Sequence, residues 1–236
     1  MQLFYNSDIT KNTTQITFDK IESKHIVRVL RKKEDDTLNI TNGKGFLFEA
    51  KINIANDKKC IAEIISVTEK SKLWDYYLHV AIAPTKNNDR FEWFLEKATE
   101  IGIDEITPII CQNSERRIVK LERFEKIIQS AMKQSLKFTL PKLNLPIKFN
   151  EFINLDFDGK VCIAHCEDVK QKKNLKSIIH PSEKTTILIG PEGDFSSQEI
   201  KKSLTKNCIP ISLGESRLRT ETAGLVAVNL VSFVNG

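Results

Sequence analysis

In 236 residues there is no apolar run long enough to cross a membrane, and the amino terminus lacks the basic-then-apolar pattern of a secretion signal, so a cytoplasmic location is expected. Also absent are a Gly-x-Gly-x-x-Gly after a strand, a Walker loop and a Gly-x-Ser-x-Gly elbow, which argues against dinucleotide, nucleoside-triphosphate and serine-hydrolase chemistry. The four histidines are scattered, and the five cysteines are odd in number and mostly embedded in apolar, strand-like stretches. Cys162 and Cys166 have no further ligands at zinc-site spacing, so no metal is expected and the thiols read as buried groups in a reducing compartment. No internal repeat or low-complexity tract occurs. A net charge of +5 gives only weak support for a polyanionic partner, although Lys32-Lys33, Arg116-Arg117 and Lys120 gather charge locally.

What is present divides near residue 72. In residues 1–72, short alternating or β-branched runs predict strands around Leu3–Tyr5, Gln15–Phe18, Thr37–Thr41, Phe46–Ile54 and Cys60–Val67, separated by Asn, Asp, Lys and Gly clusters. This reads as a small β-rich domain, a barrel, with one helical stretch whose polar side carries His25, Arg28 and Arg31. Residues 73–236 alternate strand and helix. Asp89 with Glu92 predicts an acidic capping box for a helix over 90–101, closed by Gly102.

The last fifty residues carry the densest signals. Thr185–Ile189 suits a strand covered on both faces, and Gly190-Pro191-Glu192-Gly193 ends it. Ser196 with Glu199 makes a capping box for the next helix, and Phe195 can close on Ile200 as a staple. A second strand, Ile209–Leu213, runs into Gly214-Glu215-Ser216-Arg217-Leu218-Arg219 and then an almost uncharged helix, capped by Thr220 or Thr222 and expected to be buried nearly all round. Two such loops at the carboxyl ends of neighbouring strands form a ligand crevice in an open α/β sheet. Arg217, Arg219 and Glu221, crowded before an apolar helix, need partners or a ligand.

Gly190-Pro191-Glu192-Gly193 with Phe195-Ser196, and Leu213-Gly214 with Leu218-Arg219-Thr220-Glu221-Thr222-Ala223, resemble the RsmE family of 16S ribosomal RNA uridine N3-methyltransferases, within the SPOUT superfamily. The likeness runs along the chain: it includes His25 to Arg31, then Lys86, Arg90, Glu92, Lys97, Thr99, Glu100 and Gly102, the Ser114-Glu115-Arg116 segment, and Ala131, Gln134, Ser135 and Pro141. It implies an α/β protein with an amino-terminal PUA-like barrel over 1–72 and a methyltransferase domain over 73–236, knotted at about 185–225. It further implies S-adenosyl-L-methionine as cofactor, small-subunit ribosomal RNA in an assembled particle as substrate, and a homodimer.

Carried over residue by residue, the resemblance assigns the cofactor to His165, Ile189, Gly190, Pro191, Glu192, Gly193, Leu213, Gly214, Ser216, Leu218, Arg219, Thr222 and Ala223. His165 reads equally as a satisfied histidine at a strand end. RNA would be met by Arg28, Arg31, Lys86, Arg90, Arg116, Arg117, Lys137 and Arg217. Arg219 is the candidate for stabilising negative charge on uracil, while Glu221 orients that arginine or accepts the proton; the plainer reading of the pair is a buried salt bridge. Three departures stand out. Lys137 sits where the family favours arginine, Arg117 where it has serine, and Ser216-Arg217 where it has arginine then isoleucine, so that Arg217 is expected to take over the displaced side chain. Rival readings are a relative that methylates another RNA or a ribose oxygen, and a ribosome-binding module without catalysis.

Overall fold

The computed structural model describes residues 1–167 and 172–236, and the chain divides into two compact units. The first comprises residues 1–72 together with 132–140, a stretch expected in the second domain. Its sheet contains β1 (Leu3–Tyr5), β2 (Gln15–Thr17), β3 (Thr37–Thr41), β4 (Phe46–Ile54) and β5 (Ile61–Glu69) in the order β1-β3-β4-β5-β2. Only the β1–β3 pairing is parallel. The three-residue strands β1 and β2 are the two edges, so the expected barrel does not close through a ladder between them. Alternation along β4 puts Phe48, Ala50 and Ile52 inside with Phe4, Ile26 and Ile40, the apolar cluster that holds the unit together.

Between β2 and β3, α1 (Lys20–Lys24) starts at Asp19, whose side chain accepts from the Glu22 N–H, and runs into a π-helical turn at His25–Val29. Arg28 leaves that turn to pair with Asp57, its Nη2 2.7 Å from Oδ2. Arg31 and Asp35 both have positive φ, 55° and 71°. For Asp35 this is the left-handed conformation that glycine takes without steric cost and that aspartate tolerates better than most residues. Residues 138–140 lie against the β3–β4 turn: Gly45 N donates to Phe138 O at 2.8 Å and Leu140 N to Gly43 O at 2.9 Å. Gly43 is required there, because a Cβ would stand 3.0 Å from that of Leu140. Lys137, just before, is buried at 8% exposure, which removes it from the groups an RNA backbone could reach.

The second unit is built on a sheet whose pairings are all parallel, in the order β11-β13-β10-β12-β6-β7-β8. Its strands are β6 (Tyr77–Ile82), β7 (Glu105–Ile110), β8 (Lys142–Leu143), β9 (Ile147–Lys148), β10 (Lys160–Ala164), β11 (Lys173–Asn174), β12 (Lys184–Ile189) and β13 (Ile209–Ser212). The two-residue β8 and β9 share the outer side of β7, one pairing its start and the other its end. After the exposed Lys184, β12 is uncharged, largely β-branched and buried, as a strand covered on both faces must be.

Helices α2 (Asn88–Ile101), α3 (Leu121–Gln134), α4 (Phe149–Phe152), α5 (Ser197–Thr205) and α6 (Thr220–Asn235) connect them. α5 begins with the expected Ser196–Glu199 capping box, and Phe195 and Ile200 are both buried. α2 does not start as expected. Asn87 caps it by accepting from Asp89 N, and Glu92 pairs with Arg123 instead. α6 is also less buried than its composition suggests. Gly224 lets it close on Ile82 and Phe94, where a Cβ would come within 2.8 Å, yet Leu225, Val226 and Leu230 are half-buried and Phe233 is 71% exposed. Among the described residues, no helix is long and apolar enough to cross a membrane.

Candidate active site

The loops that follow β10, β12 and β13, three adjacent parallel strands, meet at one end of the sheet. Between them lies a cavity of about 760 Å³. This is where an open parallel sheet presents ligands, because loops diverge from the carboxyl ends of neighbouring strands.

The loop after β12 is tightly held. Asp194 adopts φ 62°, which brings its carboxylate against two backbone donors, Cys166 N at 2.6 Å and Phe195 N at 2.8 Å. Asn113 donates to the carbonyls of Gly193 and Asp194, both at 3.1 Å, and Lys86 N donates to Glu192 Oε1 at 2.9 Å. Thr220 does not cap α6: the N-cap position is Arg219, without a side-chain bond, and Thr220 Oγ1 donates to Gly190 O at 3.0 Å. That bond joins the β12 loop to the β13 loop. The β13 loop itself is open. Ser212 Oγ turns it by bonding Gly214 at both N and O, and residues 214–217 are exposed.

Of the residues assigned to the cofactor, Ile189 to Gly193, Leu213, Gly214, Ser216, Leu218, Arg219, Ala223 and His165 line the cavity, and Thr222 does not. Arg217 also lines it. Glu221 is nine-tenths buried outside these walls, with its Oε1 3.8 Å from Arg90 Nε, so Arg90 rather than Arg219 is its ionic neighbour. Among the RNA-assigned groups, Lys86 pairs with Glu115 at 2.8 Å and Arg116 donates inward to the carbonyls of Thr85 and Lys86. Asp194 was not foreseen; the Gly193-Asp194 dipeptide was its only signal, since aspartate tolerates the left-handed region better than most residues.

The cavity's polar groups are incompletely satisfied. Among the described residues, neither ring nitrogen of His165 has a hydrogen-bond partner although the residue is buried, and Glu192 Oε2 is likewise unpartnered. Burial, then the nearby Lys172, lowers the His165 pKa, so the ring is neutral and offers one donor and one acceptor. Burial, then Asp194, raises that of Cys166. A Cβ on Gly214 would meet nothing within 4 Å. Orphaned buried donors and acceptors beside open backbone fit a polar ligand of nucleoside size. Among the described residues, no group of three or more His, Cys, Asp or Glu could hold a metal ion.

The profile of the RNA methyltransferase domain matches residues 72–232, and that of an RNA methyltransferase PUA domain matches residues 18–65. The chain belongs to this family of RNA methyltransferases. Within it, the Ribosomal RNA small subunit methyltransferase E of Buchnera aphidicola subsp. Acyrthosiphon pisum is 31% identical, the alignment covering 100% of this chain and 94% of that one. A probable rRNA-methyltransferase from Porphyromonas gingivalis superposes with a TM-score of 0.92 at 40% identity, over 100% and 98% of the two chains. The Ribosomal RNA small subunit methyltransferase E from Neisseria gonorrhoeae, solved bound to S-adenosyl methionine, gives 0.86 at 25% identity, over 100% and 98%.

Proposed function

We propose that this protein methylates N3 of a uridine in 16S ribosomal RNA, using S-adenosyl-L-methionine and preferring the assembled small subunit, in the cytoplasm. The observation that carries this is the cavity: its walls are the residues the family motif assigns to the cofactor, and its unsatisfied polar groups await a ligand. The cofactor supplies a methyl group on a sulfonium. Backbone groups of Ile189 to Gly193, Leu213, Gly214 and Leu218 would hold it, His165 would donate or accept one hydrogen bond, and the Asp194 carboxylate keeps the β12 loop in shape.

The chain's contribution to the reaction is orientation and charge. Arg219, on the exposed side of the cavity, stabilises the negative charge that uracil acquires as N3 loses its proton. Arg217 lies on the same loop and takes the role of the displaced family arginine. Glu221 fits the plainer reading of a buried ion pair, made with Arg90 and not with Arg219, because its carboxylate lies beside Arg90 and outside the cavity walls. The half-buried apolar side of α6 supports a homodimer, and the family motifs at Gly190 to Gly193 and Leu218 to Ala223 support a knotted chain over about 185–225.

The test is transfer of tritiated methyl from S-adenosyl-L-methionine to small subunits that lack the modification, with naked RNA alongside. Recovery of 3-methyluridine, chiefly from the particle, is expected. Label on a ribose oxygen, or no label despite cofactor binding, would overturn the assignment.

A further inference from the structure

Much of the basic charge that the sequence singles out is committed to bonds within the chain. Arg28 is held by Asp57, Lys86 by Glu115 and Arg116 by two carbonyls, and Lys137 is buried. Arg117, Lys148 and Lys202 differ. They line one groove of about 380 Å³ between the end of β7, the start of α4 and α5. Register places Lys148 opposite Ile110, the last residue of β7. Arg117 spends a single donor, on Gln112 O at 3.2 Å, and Lys202 bonds neutral Asn150 at Oδ1 at 3.0 Å. No ion pair involves any of the three among the described residues.

Glu199, the acidic residue in the walls, does not neutralise them through a direct contact. It is 7% exposed, and its oxygens already accept from Gln112 N at 2.8 Å, Ser196 N at 2.9 Å and Ser196 Oγ at 3.1 Å. The groove therefore combines three cations that keep spare N–H donors with one carboxylate already bonded to other groups, a net positive composition that suits an anion. It adjoins the candidate active site, since Asn113, next to Gln112, holds the Gly193 and Asp194 carbonyls of the β12 loop.

We propose that Arg117, Lys148 and Lys202 bind a backbone phosphate of the substrate RNA close to the target nucleotide, positioning the strand without reading its sequence. This rests on the methyltransferase reading above. Arg117 is one of this chain's departures from the family pattern, and here the departure adds a guanidinium fork to two point charges.

Lys148→Gln, Lys202→Gln and Arg117→Gln would be compared with Lys201→Gln, an exposed neighbour outside the groove walls. Affinity for a single-stranded RNA would be followed by fluorescence anisotropy across a salt series, with methyl transfer to small subunits measured in parallel. The triple variant is expected to flatten the slope of log affinity against log salt by roughly 0.7, and each single variant by part of that. The same variants should raise KM for the subunit several-fold while kcat and S-adenosyl-L-methionine affinity hold. Unchanged slopes, or an equal effect from Lys201→Gln, would overturn the proposal. A wild-type protein that bound RNA with a groove-dependent slope yet transferred no methyl would overturn the function and leave the groove standing.

Discussion

The catalytic unit has two cavities of similar size at different ends of its sheet, and they differ in one respect. The cavity of about 730 Å³ lined by the first residues of β6, β7 and β12 has a polar floor bonded to itself. Glu105 accepts from Tyr77, from Asn144 at 2.5 Å and from Lys142 at 2.9 Å. Asn144 also reaches Thr107 Oγ1 at 2.7 Å, and Thr107 Oγ1 is 2.7 Å from His79 Nε2. Asn144 donates to that oxygen, and the threonine hydroxyl, with one donor and a second acceptor site, completes the chain to His79. The cavity of about 760 Å³ at the strands' carboxyl ends holds His165 and Glu192 with atoms that no described protein group satisfies. Volume does not separate a structural hollow from a binding site here; the state of the hydrogen bonds does.

Mutation at each end should separate activity from stability. Arg219→Ala, at the open end, is expected to lower turnover by roughly 10²–10³-fold with little change in melting temperature, as for loss of one charge-stabilising donor. Equal losses in turnover and stability would erase the distinction. Glu105→Ala, at the closed end, leaves Tyr77, Asn144 and Lys142 short of an acceptor, and about 3 kcal/mol of stability should be lost in urea titrations. Activity per folded molecule should stay near wild type.

A pH series sharpens the contrast. Burial lowers the His79 pKa to about 4 from 6.5, so the unfolded chain takes up a proton more readily than the folded one. Stability from this site is complete above pH 6.5 and falls as pH drops toward 4, by roughly 2 kcal/mol between pH 7 and pH 5. His79→Gln should remove that slope. Glu105 adds a second loss at lower pH. Burial alone would raise it, but Tyr77, Asn144 and Lys142 hold it at about 2 against 4.5, and its contribution disappears as pH falls through that interval. The smallest effect is expected from Thr220→Val, which deletes the bond to Gly190 O. About 1 kcal/mol of stability and a modest rise in cofactor Kd, read by calorimetry, should follow.

Local features were legible in the chain wherever neighbours in sequence decide them. The Ser196–Glu199 box, the Gly102 stop and the covered strand at 185–189 are of this kind. Pairings across the fold were not. Glu92 looked like a capping residue until Arg123 claimed it, Glu221 a partner for Arg219 until Arg90 stood beside it, and Lys137 a surface cation until residues 132–140 grouped with the first unit. In each case the residue type was informative, but its partner lay tens of residues away and was chosen by packing.

The outer strands of the catalytic sheet bear on how the protein survives at high concentration. A parallel sheet forms from distant segments and leaves unpaired strands at risk of joining another chain while it assembles. At one edge, β8 and β9 are two residues each and interrupted by Pro146; at the other, β11 has two residues. Each contains a lysine, Lys142, Lys148 and Lys173. Among the described residues, no edge segment offers another molecule more than a few contiguous backbone groups, so the sheet ends where it should rather than recruiting a ninth strand from a neighbour.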